Sequence, residues 1–142
     1  MSRPLHMRHN FPAVEALEAG GVDVAEVARL APGVDPERLL VREARPWFEH
    51  LVLRQSAAIA FSHVVYMHSR AYRLPRAQIT RLVVHELIHV SQWRQDGHLR
   101  FARRYLWDYL RGRLRRQTHS EAYLAIGYEV AARQGTASLF PD

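Results

Sequence analysis

The hydrophobic pattern changes period partway along the chain. From residue 75 onward apolar positions recur at three- and four-residue intervals. Ile79, Leu82, Val83, Val90 and Trp93 fall on one stripe that also contains Glu86, the spacing of an amphipathic helix. That spacing predicts a helix of about five turns over 75–96, ended by Gly97. A second helix is predicted over 98–113 and contains Phe101, Tyr105, Trp107 and Tyr109. A third is predicted to start near Thr118, run through HSEAYLAIGYEVAARQ and close at Gly135.

Upstream the helical period is missing. Residues 38–43 (RLLVRE) and 57–69 (AAIAFSHVVYMHS) are rich in β-branched and aromatic residues, and predict strands. The second run is expected to divide at Ser62-His63, and ARPWFEHLVLRQ between the runs to form a turn and a short helix. The first 36 residues read as short helical pieces: Pro12 starts PAVEALEA, which Gly20-Gly21 ends, and Asp23 caps VAEVARL. Pieces this short need the rest of the chain to hold them. The expected fold class is α+β, a small sheet of two to four strands against a helical layer. At 142 residues it forms one domain, with a helical N-terminal segment over 1–36 and a core over 38–134.

Composition narrows the chemistry. Cysteine is absent, so disulfides and thiolate metal sites are excluded and any metal must be held by His, Asp or Glu. The start MSRPLHMRHNFPAVEAL contains no apolar run of signal-peptide length, and no uncharged run is long enough to span a bilayer. The expectation is a cytoplasmic protein with no membrane partner. The formal net charge is +6, and every basic residue apart from histidine is arginine. Arg100, Arg103, Arg104, Arg111, Arg113, Arg115 and Arg116 cluster in one segment. The cluster reads first as the solvated face of a helix, and second as a surface that attracts nucleic acid or an acidic protein.

The central helix also carries LVVHELIHVSQW over 82–93. His85 and His89 lie four residues apart and project from one side, one turn above the other, as two ligands of a tetrahedral zinc ion require. Glu86 is rotated from His85 by about 100°, where it can reach a water activated by the metal without binding the ion. That is the position of a general base in zinc-dependent peptide hydrolysis. A charged carboxylate within an apolar stripe is costly unless a site uses it.

The third ligand has to come from further along the chain. A metzincin continuation would need Gly and His where the chain has Gln92 and Gln95, and His98 falls on the other side of the helix beyond Gly97. Asp96 reads as surface, and Asp108 as an ion-pair partner of the arginines around it. Thr118-His-Ser-Glu121 matches a capping box, which gives Glu121 a structural role. Glu129 has none on the side shared with Ala122, Ala125, Ile126 and Ala132, and is favoured over Glu121, with His119 third. Gln92 shares a side with both histidines and can fix a ligand. Tyr123 or Tyr128 can donate to a developing oxyanion. Each also has an ordinary reading, Gln92 as a helix-end polar residue and the tyrosines as core.

Together VVHELIHVSQWRQDG, RFARRYLWDYLRGR and HSEAYLAIGYEVAAR resemble the small metallopeptidases of actinobacteria related to the eCIS-core domain, a family often encoded near extracellular contractile injection systems. These are similar to gluzincins, in which His-Glu-x-x-His is followed by a glutamate in a Glu-x-x-Ala or Glu-x-x-Asp setting. Glu129-Val-Ala-Ala fits that setting and Glu121 does not. The resemblance covers most of 38–134 and implies a minimal zincin-like fold with a Zn2+ cofactor and a peptide or protein substrate. It also implies that AIAFSHVVYM is the strand before the active-site helix, so that Ala57, Ala58, Ile59, Ala60 and Phe61 border the cleft as a substrate-pairing edge. Ser62 stands where the family often has glycine. The rival expectation is a non-catalytic, zinc-stabilised module that binds through its arginines.

Overall fold

The computed structural model describes residues 10–54 and 56–140. Residues 1–9 of the N-terminal segment, Gln55 at the end of the expected turn and helix, and the acidic Asp142 lie outside the described residues. The elements are β1 (Asn10–Pro12), α1 (Ala13–Ala19), α2 (Val24–Leu30), β2 (Leu40–Glu43), α3 (Pro46–Leu51), β3 (Ala58–Ala60), β4 (Val64–Met67), α4 (Arg76–Asp96), α5 (His98–Leu114), α6 (His119–Leu124) and α7 (Gly127–Leu139). This is the α+β arrangement expected, a small mixed sheet against helices.

Strand order is β1-β2-β4-β3. β2 and β4 run parallel in the centre, with Val41 opposite Val65, while β1 and β3 pair antiparallel at the two edges. Residues 57–69 do divide at the expected place, into β3 and β4. The strand ends at Met67, where the His68 side chain accepts the Arg70 amide and opens a 3-10 turn over Ser69–Arg73.

The N-terminal segment is not purely helical. Asn10–Pro12 form a strand, and Phe11 and Leu17 are fully buried. β1 escaped detection because three residues carry no periodicity. The segment is pinned to α4 by side chains: the Thr80 hydroxyl donates to the Ala16 carbonyl at 2.7 Å, and the Ser91 hydroxyl to the Pro32 carbonyl at 2.6 Å.

α4 is the centre of the molecule, with contacts to α1, α5, α7 and the sheet. Val83, Val84, Leu87 and Val90 are wholly buried. The helix is therefore enclosed on several sides instead of presenting a single buried stripe. Gly97, at φ 79°, ends α4 and turns the chain into α5. Across that turn Trp93 stacks on Phe101 at 4.1 Å, and Phe101 on Tyr128 at 4.4 Å, joining α4, α5 and α7.

The expected third helix is two helices. Thr118 caps α6 in the anticipated capping box, with Thr118 and Glu121 exchanging hydrogen bonds. The chain then breaks at Ala125-Ile126, and α7 starts afresh at Gly127, whose amide donates to Asp108 Oδ2 at 3.1 Å. Asp108 thus satisfies a helix start, in place of the ion pair expected for it, and a carboxylate there also suits the positive end of the helix. Gly135 does not close the helix. It sits inside α7, where a Cβ would come within 2.8 Å of Ile88 Cδ1, so the residue permits close packing of α7 on α4.

Candidate metal centre

The break before α7 decides the site. It puts Glu129 in the first turn of α7, with its carboxylate buried and aimed at α4. His85 Nε2 and Glu129 Oε2 are 3.2 Å apart, as are His89 Nε2 and Glu129 Oε1. His85 Nε2 and His89 Nε2 are 3.1 Å apart. Donor atoms of a tetrahedral ion with bonds of about 2.0–2.1 Å stand roughly 3.3 Å from one another. Each histidine therefore stands at about that spacing from the other and from one of the two Glu129 oxygens, and the donor set suits zinc. Among the described residues, His85, His89 and Glu129 form the group whose ligand atoms converge within 4.8 Å.

The orientation of His89 is fixed from behind. Its Nδ1 lies 2.8 Å from Gln92 Oε1, and Gln92 Nε2 donates to the Tyr128 carbonyl at 3.0 Å. The backbone carbonyl assigns the Gln92 amide, so Oε1 accepts and His89 Nδ1 carries the proton. Nε2 is left to face the cluster, the arrangement that metal-binding histidines use. Gln92→Ala is expected to weaken metal binding by about 10–100-fold, read by competition with a chromogenic chelator. Unchanged affinity would assign Gln92 to helix packing alone.

Glu129 is also held by Tyr105, whose hydroxyl donates to Oε1 at 3.0 Å. Tyr123 interacts with the same carboxylate and with Tyr105. Sequence reasoning placed Tyr105 on the second helix without a role. Its signal was a tyrosine four residues after Phe101, on the side of α5 turned toward α4 and α7. Tyr128, in contrast, is turned away: its hydroxyl donates to Asp96 and Arg104 lies over its ring. Asp96 is thus partnered and half-buried where open surface was expected. Glu121 remains in its capping box, and His119 pairs with the Tyr109 hydroxyl at 2.9 Å on the exterior. Neither joins the cluster.

Glu86 is 5% exposed and shares a cavity of about 380 Å³ with His89 and Glu129. The cavity is walled by Trp93, Phe101, Tyr105 and Tyr123 from the helices and by Ala58, Ile59 and Ala60 from β3. Ala57 and Phe61 flank it without lining it. The amides of Phe61 and His68 bond across to Val64 and Ala57. By antiparallel alternation, the backbone groups of Ala58 and Ala60 therefore point to the outer edge. The Ala60 carbonyl accepts from the Trp93 indole at 2.9 Å.

Burial pushes the Glu86 carboxyl up, an effect that the two histidines oppose and Glu129 reinforces. Burial also opposes charge on Glu129, but hydrogen bonds from His85 and His89 and their charges outweigh it and hold the carboxyl well below its usual range. Burial works against a charged His89. The Glu129 hydrogen bond and the Glu86 and Glu129 charges prevail, so that its pKa rises from 6.5 to about 9. Burial, followed by the Glu129 charge, raises Tyr105 and Tyr123, which remain protonated donors.

These shifts set the pH dependence of the metal-free protein. Stabilisation from the His89 proton is fully present below 6.5 and is lost as pH rises through about 9. The raised Glu86 acts in the same direction above its ordinary value of 4.5. With chelator present, the Tm should fall steadily between pH 6.5 and 9. Metal-loaded protein should not show that fall, because ligation displaces the His89 proton and strengthens with pH. Equal profiles with and without chelator would show that the cluster holds no metal.

No family model, curated protein or solved structure matches the chain.

Proposed function

We propose that the protein is a zinc-dependent metallopeptidase, with His85, His89 and Glu129 as metal ligands and Glu86 as the general base. The observation that carries this reading is the convergence of the His85, His89 and Glu129 ligand atoms within 4.8 Å, with Glu86 in the cavity that His89 and Glu129 line. Bound zinc would supply Lewis-acid polarisation of a peptide carbonyl and lower the pKa of a water. Glu86, its basicity raised by burial, takes a proton from the attacking water and delivers it to the leaving amine. Tyr105 and Tyr123 keep their protons in the cavity wall, where Tyr105 donates its own to Glu129. The β3 edge supplies backbone groups along which an extended peptide can lie. The resemblance to eCIS-core-related, gluzincin-like peptidases accords with this ligand set.

Elemental analysis of protein reconstituted with zinc should find about one ion per chain, the single site that three protein ligands make. A peptide library should be cleaved by that protein and spared after chelation. No bound zinc would end the enzyme reading.

A second reading has its own observation: the arginines of α5 are exposed. A zinc-stabilised module could use them to hold nucleic acid or an acidic protein, and salt-dependent retention on DNA with one bound zinc and no hydrolysis would favour it. The buried Glu86 weighs against it, since a structural site has no use for a base beside its ligands. Among the described residues no helix is long and apolar enough to cross a membrane.

A further inference from the structure

α5 has an unusual outer face. Leu99 and Leu114 are each 79% exposed, Leu106 57%, Trp107 54% and Leu110 43%. At about 100° per residue these five fall within an arc of roughly 100°, which makes an apolar stripe along the helix that only Arg103 interrupts. Single exposed leucines are ordinary, but a contiguous stripe marks a contact surface. Exposed arginines border it: Arg113 on one side, Arg100, Arg104 and Arg111 on the other, with Arg103 between. Arg111 lies over the Trp107 ring at 5.5 Å. The one acid of this helix, Asp108, is engaged with the start of α7.

The charge pattern selects the occupant. A second copy docking by two-fold symmetry would set this arginine-bordered stripe against itself, like charge against like. Nucleic acid would satisfy the arginines but leave the leucines and tryptophan in water. We propose that α5 docks on an anionic lipid surface, lying in the plane of the interface with Leu99, Trp107, Leu110 and Leu114 among the acyl chains and the arginines at the headgroups. An interfacial helix of this kind has an apolar face bordered by basic residues and does not cross the bilayer. Arg103 can extend its guanidinium to the headgroups over its own apolar stem. Val52, also exposed, lines the same cavity as Leu106, so apolar surface continues across the mouth of the cleft. Docking by α5 would hold that mouth at the membrane. The inference is independent of whether the cleft binds zinc.

The test is co-sedimentation with vesicles of phosphatidylcholine alone and of an equal mixture with phosphatidylglycerol. It compares the wild type, an apolar variant (Leu110→Ser with Leu114→Ser) and a charge variant (Arg100→Gln, Arg103→Gln and Arg111→Gln). The wild type should prefer the anionic vesicles by about a hundredfold, as a few arginines near such a surface provide. Both variants should lose about that much, the apolar one through two withdrawn leucines. Circular dichroism should show all three folded. Should the double variant fail to fold, Leu114→Ser, at a position 79% exposed, takes its place. Loss in the charge variant alone would overturn the proposal, since it would show attraction to the headgroups with no apolar insertion. Binding to neither vesicle would also overturn it, as would self-association in sedimentation velocity that the apolar variant abolishes.

Discussion

Glu86→Gln is expected to abolish peptide hydrolysis while leaving the metal in place. General acid-base catalysis contributes about 10²–10⁴-fold, and Glu86 acts at both proton transfers of the proposed reaction, so kcat/KM should fall by about 10³-fold or more. Glutamine keeps the shape of the side chain. It also removes a carboxyl whose charged form is disfavoured by burial, so the metal-free variant should melt no lower than the wild type. The combination separates a catalytic role from a structural one. A variant that is folded, zinc-loaded and still active would remove Glu86 from the mechanism, and zinc lost with activity would make it part of the metal site.

Glu129→Gln should have the opposite signature. Its carboxylate faces both histidines at 3.2 Å and accepts the Tyr105 hydroxyl, so neutralising it removes the one anion of the ligand triangle. Breaking a buried charge pair costs about 3–5 kcal/mol, and each 1.4 kcal/mol is a factor of ten. Zinc affinity should therefore fall by about 10²- to 4 × 10³-fold, with activity lost in proportion. The metal-free variant should also lose the pH dependence attributed to His89, whose raised pKa draws on the Glu129 hydrogen bond and charge. Glu121→Gln is the control: it weakens the start of α6 and should leave metal content unchanged. Equal zinc in both variants would show that the third ligand lies elsewhere.

Tyr105 and Gln92 show how unevenly such a cluster can be anticipated. Gln92 is three residues from His89 on the same helix, so the contact was geometrically available from spacing alone. Tyr105 reaches Glu129 from a different helix, and nothing in the order of residues brings α5 and α7 together at that point. Tyr128 has the reverse history. The tyrosine beside Glu129 in sequence was a natural candidate, yet the restart of the helix at Gly127 rotates it toward Asp96.

By itself the sequence determined what is local. The change of period at residue 75, the end at Gly97, the Thr118 capping box, the division of 57–69 and the placing of His85, Glu86 and His89 on one helix all follow from interactions spanning a few residues, which the order of residues encodes directly. Only the tertiary structure decided the rest. It made Asn10–Pro12 a strand, because β2 offers it a partner. It split the third helix, because Asp108 on another helix satisfies the new start. By that split it turned Glu129, and not Glu121, toward the histidines. Such choices are made by hydrogen-bond partners and packing surfaces far apart in the chain, and these exist only once the helices have met.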